Sequence, residues 1–229
     1  LESQNITDPL EAQPGDLIDD DNMVEERLGS GSTGLALLVS DGIREPTVVK
    51  VAHDASREQR LIAEAEVLGR LDHPRIVRLI KGRHVIGGRT CIEIEDAGRP
   101  TLGTRIDQEG RLTVEQLQNY GNDLFEAINY LEREGVQHRD IKPDNLGVRT
   151  DRRPRLVLFD FSLANEPSDQ IRSGTRHYLD PFLGTSARPR YDSAAERFAV
   201  AVTLFQMATT QLPEWGDGSS DPSSIHEEV

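Results

Sequence analysis

Between His138 and Asn145 the chain reads H-R-D-I-K-P-D-N, and this run constrains the fold more than any other stretch. It sets a carboxylate at Asp140, an ammonium two residues on at Lys142 and a carboxamide three further at Asn145, all on one short loop. Those are the groups that the acceptor side of a phosphoryl transfer needs. Taken in isolation, Pro143, Asp144 and Asn145 would be turn formers in a polar surface loop after a helix. The flanking sequence decides between the two.

A chain of 229 residues suits one medium domain or two small lobes, enough to bury a core. No stretch approaches the roughly 20 apolar residues of a membrane span, and the start lacks the basic and apolar regions of a signal peptide. The first residue is Leu1, which fits a processed or excised piece. A lone Cys91 makes no intramolecular disulfide and fits a reducing cytoplasm, with its thiol expected as a small core residue. The net charge of −14 argues against nucleic-acid binding through the surface as a whole. Residues 1–26 carry nine Asp or Glu and no Lys or Arg, leaving about −5 for the rest. Residues 1–23 are therefore expected as an acidic flexible arm, or as a tail that docks on a basic partner.

Val24 to Leu28 and Leu35 to Ser40 have strand character, and G-S-G-S-T-G from Gly29 to Gly34 joins them. A glycine run between two strands, with no helix opening after it, disfavours a dinucleotide-binding fold. Thr47 to Val51 forms a third strand bearing Lys50. From Arg57 to Leu71 the residues Leu61, Ala65, Leu68 and Leu71 recur at helical spacing. Arg75 to Ile80 and Thr90 to Ile94 complete a five-stranded sheet, with Gly87 and Gly88 as a hairpin turn. Thr113 and Gln116 form a capping box ahead of a stripe of Leu117, Tyr120, Leu124, Ile128 and Leu131, and this helix stops near Gly135. Leu156 to Phe159 is a short buried strand. Ser193 and Glu196 repeat the capping-box pattern before a stripe of Phe198, Val202, Phe205 and Ala208. Residues 217–229 are expected to be a disordered tail.

The eight residues from His138, the glycine run, and Asp160-Phe161-Ser162 after a strand together resemble the protein kinase family, and Lys142-Pro143 resembles its serine/threonine branch. The resemblance covers Val24 to Trp215. It implies an α+β fold of two lobes, with a five-stranded antiparallel small lobe at 24–97 and a mainly helical large lobe at 98–216, truncated at its C-terminal end. It implies ATP and Mg2+ as cofactors and a protein substrate, with no membrane and no direct nucleic-acid contact. By that likeness Asp140 accepts the hydroxyl proton, Lys142 faces the transferred phosphate, and Asn145 and Asp160 hold metal. Gly29, Ser30, Gly31, Gly34, Ala36, Val48 and Lys50 meet the nucleotide, Ile94 lies beside the adenine, and Glu95 and Ala97 offer it backbone bonds. Glu64, and not Glu66, is implied as the ion-pair partner of Lys50. Thr175 matches the threonine beside the aspartate and lysine. Arg139 pairs in the family with a phosphate on the activation segment, for which Ser173 or Ser168 is available, or else bonds backbone carbonyls there.

Four positions depart from the family pattern. Ser162 stands for a glycine, Gly147 for a leucine under the adenine, Phe182 for a glutamate, and Glu196 for an aspartate, where Glu196 could cap its helix instead. On that reading Gly147 leaves the adenine floor under-filled. The three helices that normally follow the one ending near Thr210 have no counterpart, so other segments of a longer protein would cover the base of the large lobe, or the lobe is minimal. G-T-R-H-Y-L-D-P-F and L-P-E-W-G-D-G are also similar to the PglW-like kinase domains of long bacterial phage-defence proteins. Two alternatives stand beside the enzyme: a pseudokinase or regulatory scaffold with little transfer, and a small-molecule kinase, which would lack the pattern around Thr175.

Overall fold

The computed structural model describes residues 8–31, 33–150, 153–185, 189–216, 218–223 and 225. They form two units. The first takes the described residues up to Asp72 together with Val77–Asp96, and the second takes His73–Ile76 and the described residues from Ala97 onward.

The first unit is an antiparallel sheet in the order β1-β2-β3-β5-β4, built from β1 (Met23–Ser30), β2 (Leu35–Ser40), β3 (Thr47–Val51), β4 (Leu79–Ile86) and β5 (Arg89–Glu95). The residues of the central strands β2, β3 and β5 are buried almost without alternation, Lys50, Thr90 and Glu93 among them, because both faces of these strands are covered. Gly87 and Gly88 both have positive φ, as a tight two-residue hairpin requires, and they join β4 to β5. The fourth strand begins at Leu79, later than the expected Arg75 to Ile80. Ile76 is instead bridged to Leu158 of the second unit, to which residues 73–76 belong. Helix α1 (Ala55–Leu68) starts two residues earlier than its apolar period suggested, since the Asp54 carboxylate accepts the amides of Ser56 and Arg57.

The acidic segment ahead of β1 is not a solvated arm over its described part. Ala12 and Ile18 are fully buried in a cluster with Val24, Leu37, Val39, Val49, Val51, Ile86 and Cys91. Asp8 pairs with Arg89 at 3.0 Å, and the Arg27 guanidinium donates to the carbonyls of Leu10 and Ala12. Composition counts charges and misses that a few apolar residues are enough to seal one sheet face. Residues 1–7 of the expected arm lie outside the described residues. Cys91 is buried within this core, and burial pushes its thiol up to about 12.

The second unit contains α2 (Leu102–Glu109), α3 (Val114–Glu134), the strand pair β6 (Leu146–Arg149) and β7 (Arg155–Leu158), and α4 (Ser193–Thr209). Helix α2 has no counterpart in the apolar pattern read from the sequence. The capping box at Thr113 and Gln116 is formed, and Gly135 closes α3 in the left-handed region at φ +68°. Asp123 of α3 accepts the Leu156 amide and pairs with Arg75 at 2.9 Å, which ties the helix to β7 and to residues 73–76. Burial raises the Asp123 carboxyl above its ordinary value, against the Leu156 amide and Arg75.

Helix α4 is capped by Asp192, whose side chain accepts the Ala195 amide, and not by Ser193. Its buried side is Ala195, Glu196, Ala199, Val200, Val202, Thr203 and Met207, so the expected stripe is rotated: Phe205 and Ala208 are exposed. The tail expected to be disordered is placed over 218–223, where Asp221 pairs with Arg176 and Pro222 is buried; Asp217, Ser224 and 226–229 lie outside the described residues.

Candidate active site

In the first unit each glycine of the β1–β2 turn has its own cause. Gly29 sits at φ +121°, where L side chains are strained, and at Gly34 a Cβ would run into the Val51 carbonyl of β3. At Gly31 a Cβ would meet nothing within 4 Å, so packing does not require glycine there. The Gly31 amide donates to the Gly34 carbonyl at 2.8 Å, and Arg57 of α1 donates to the Gly31 carbonyl at 2.9 Å. Ser30 ends β1 at the mouth of this turn.

Register pairs Ala36 with Lys50 across β2 and β3, and Val48 with Ile94 across β3 and β5. Directly opposed residues share a face, so Ala36, Val48, Lys50 and Ile94 lie on one side of the sheet. The Lys50 ammonium donates to Glu64 Oε1 at 2.6 Å, and both side chains are buried, whereas Glu66 is exposed. The Glu95 amide donates to the Arg78 carbonyl at 2.9 Å.

In the second unit His138, with no solvent exposure, fixes the loop. Its Nδ1 accepts the Asp140 amide at 3.2 Å, its Nε2 donates to the Phe159 carbonyl at 2.9 Å, and its ring meets Phe161 edge-on at 4.7 Å. One imidazole thus joins the Asp140 loop to the segment that delivers Asp160. Arg139 and Asp160 both hold positive φ, at 71° and 64°, a conformation that costs free energy and that the surrounding bonds sustain.

Asp140 is the centre of the cluster. Its Oδ1 accepts the Thr175 hydroxyl at 2.6 Å and the Thr175 amide at 2.9 Å, and its Oδ2 receives Lys142 Nζ at 2.8 Å and Asn145 Nδ2 at 3.0 Å. Lys142 also donates to the Thr175 hydroxyl at 2.7 Å. Burial pushes the Asp140 carboxyl up, but the bonds from Lys142 and Thr175 outweigh it and hold it below the ordinary carboxylate range. Asn145 gives a second bond to the Asp140 carbonyl at 2.7 Å, so its amide nitrogen faces Asp140, and among the described residues no hydrogen bond engages its side-chain oxygen. The Phe159 amide donates to the Asn145 carbonyl at 3.0 Å, bringing Asp160 next to that residue. A carboxylate and a carboxamide oxygen make a hard, sparse donor set, which suits Mg2+ that keeps waters and takes phosphate oxygens.

Glu196 and Tyr191 were missed as site residues. Glu196 does not cap α4: its Oε2 accepts the His138 amide at 2.9 Å and its Oε1 accepts the Arg139 amide at 2.8 Å and the Tyr191 hydroxyl at 2.7 Å. An acid in step with Ala199, Val200 and Thr203 on one helix side was the available signal, since a buried carboxylate needs donors. The Tyr191 amide donates to the Ser168 carbonyl, and its ring lies 4.7 Å from the Arg139 guanidinium, which also donates to the Gln170 carbonyl at 3.2 Å. Arg139 is 3% exposed. It therefore meets a backbone carbonyl and an aromatic face, with no serine hydroxyl of Ser168 or Ser173 among its partners.

Gly147 is not an under-filled position. A Cβ there would overlap the Ala97 carbonyl and lie 2.8 Å from Ala97 Cβ, so the glycine exists because two backbones touch.

With this geometry in place, the family pattern described as Protein kinase domain matches residues 23–228. The chain belongs to the protein kinase family. The kinase is 46% identical, over 94% of its length, to a "Probable kinase PglW" of Streptomyces coelicolor, of which it spans 16%. It is 27% identical to the serine/threonine-protein kinase AtPK1/AtPK6 of Arabidopsis thaliana, over 92% of this chain and 48% of that one. A probable serine/threonine-protein kinase of Clostridium acetobutylicum is 24% identical over 83% of this chain and 30% of its own. The kinase thus spans less than half the length of each of these relatives, and it stands with serine/threonine kinases.

Proposed function

We propose that the kinase transfers the γ-phosphoryl group of ATP to serine or threonine hydroxyls of a protein. The observation that carries this is the Asp140 carboxylate, held ionised, accepting a hydroxyl at 2.6 Å while Lys142 donates to the same hydroxyl oxygen. Thr175 and Lys142 fix the carboxylate that an acceptor hydroxyl would meet. In the reaction the acceptor oxygen bonds to the γ-phosphorus, the bond to the β-phosphate oxygen breaks, and the hydroxyl proton passes to Asp140. Lys142 then balances charge on the transferring phosphoryl group, and Lys50, oriented by Glu64, does so on the nucleotide phosphates. Gly29, Ser30, Gly31 and Gly34 offer bare backbone to those phosphates, while Ala36, Val48 and Ile94 present an apolar face to the base, with Glu95 and Ala97 as its backbone partners. Asn145 and Asp160 would hold Mg2+, which when bound neutralises phosphate charge.

The likeness to the PglW-like group supports placing this kinase in the cytoplasm as one domain of a longer bacterial defence protein. A labelled-ATP assay with Mg2+ and a generic basic protein tests the first reading. Asp140→Asn should lose about 10² to 10⁴-fold in rate with the fold retained; a variant as active as wild type rejects it. Phage plating on cells whose full-length protein carries Asp140→Asn tests the second.

A further inference from the structure

In the first unit the ladder of β1 and β2 ends with Ser30 opposite Leu35, and the turn beyond it carries Gly31. Sterics do not fix Gly31, since a Cβ there would meet nothing within 4 Å. Among the described residues two hydrogen bonds set its place. One lies inside the turn, from the Gly31 amide to the Gly34 carbonyl at 2.8 Å. The other comes from outside it, from Arg57 Nη1 of α1 to the Gly31 carbonyl at 2.9 Å.

Arg57 reaches the turn from a fixed base. It lies in the first turn of α1, where the Asp54 carboxylate accepts its amide at 3.1 Å and stands 3.6 Å from its Nε. The next residue, Glu58, accepts the Thr90 hydroxyl of β5 at 2.8 Å and Arg83 of β4 at 3.0 Å, so this end of the helix is fastened to the sheet. Further along the same helix Glu64 holds Lys50 of β3. One helix thus grips both the lysine and, through Arg57, the glycine turn. The Arg57 side chain is 38% exposed, so solvent competes for its bond and the bond can open and re-form.

We propose that Arg57 is a positioning residue for the nucleotide, holding the Gly31 carbonyl so that the glycine turn stays in the one place from which its backbone meets the phosphates. The inference rests on the reading of Gly29 to Gly34 as the phosphate-holding turn. A turn that is already held loses less conformational freedom when the nucleotide arrives, and that saving appears as affinity. The effect falls on the phosphates and not on the base, whose apolar face comes from Ala36, Val48 and Ile94 of the sheet.

Hydrogen–deuterium exchange of the whole chain without nucleotide reads the Arg57 bond by itself. Arg57→Met, which keeps a long side chain and removes its donors, should raise exchange in the peptide carrying Gly31 about three- to tenfold, while the peptides of β3 and β5 stay within about twofold. Calorimetry then reads the consequence. Arg57→Met should weaken binding of ATP with Mg2+ about three- to tenfold and of adenosine less than about twofold, and Arg57→Lys, which still donates, should return ATP binding to within about twofold of wild type. Unchanged exchange at Gly31, faster exchange with ATP binding unaltered, an equal loss for ATP and adenosine, or a lysine variant no better than the methionine one overturns the proposal, as does a wild-type chain that binds no ATP. Arg57→Gln, shorter but polar, gives the same readouts if the methionine variant does not fold, and failure of both to fold makes Arg57 structural and overturns the proposal too. Neither readout needs phosphoryl transfer, so a chain that shows both effects yet phosphorylates no protein counts against the enzyme reading alone.

Discussion

Gly147 reverses an expectation drawn from residue type. Comparison with a leucine suggests a vacancy under the base, yet the position is filled by the Ala97 backbone. Gly147→Ala should cost about 1 to 3 kcal/mol or more, because the obstacle is main chain and cannot rotate away. Gly147→Leu should weaken nucleotide binding instead of tightening it; urea unfolding and calorimetry check the two statements. Asp140 gives a pH prediction. Its folded value is depressed, so its stabilising contribution is present above the ordinary carboxylate value of about 3.9 and is lost as pH falls through the lower folded value. The stability gap between wild type and Asp140→Asn should stay level from about pH 5 to 8 and shrink only below about pH 4. Any acid limb of activity near neutrality therefore belongs to another group.

At the scale of elements, the site depends on how α4 meets the loop that carries His138 to Asp140. Glu196 accepts two loop amides and the Tyr191 hydroxyl from the first turn of α4, so one side chain sets the height of the catalytic loop over the helix. Glu196→Ala leaves buried donors unmet and should cost about 2 to 4 kcal/mol, with kcat falling more than the KM for ATP rises. Circular dichroism melts and steady-state kinetics separate the two effects. Glu196→Asp keeps the charge but is one methylene short, and should lie between. Arg139 belongs to the same layer: with Tyr191 over its guanidinium and the Gln170 carbonyl as acceptor, it ties the segment that carries Gln170 to the loop. Ser173→Ala should accordingly retain near wild-type activity in a kinetic assay, and a large loss would show a phosphate-dependent segment.

For the whole molecule, the acidic run before β1 is part of the first unit's core, so charge content misreads its role. Ile18→Ala should cost about 2 to 5 kcal/mol, as for other fully buried aliphatic side chains, with the KM for ATP little changed. Removal of residues 1–22 should leave the outer face of the sheet open and the protein aggregation-prone, which light scattering would register.

Local chemistry was legible in the sequence wherever it is set by neighbours along the chain. H-R-D-I-K-P-D-N puts Asp140, Lys142 and Asn145 on one turn, Thr113 and Gln116 cap α3 from three residues apart, and the Gly87-Gly88 pair admits only a tight hairpin. The family pattern likewise selects Glu64 over Glu66 by spacing, and the structure joins Glu64 to Lys50. Tertiary structure decided what depends on partners far away in sequence. Glu196 finds its donors 57 and 58 residues back, Gly147 is fixed by contact with Ala97, and Ile18 is buried by strands that close over it later. The physical reason is that a side chain's own propensity is local, whereas the donor, the backbone or the apolar face that it meets is supplied only when the chain folds back on itself.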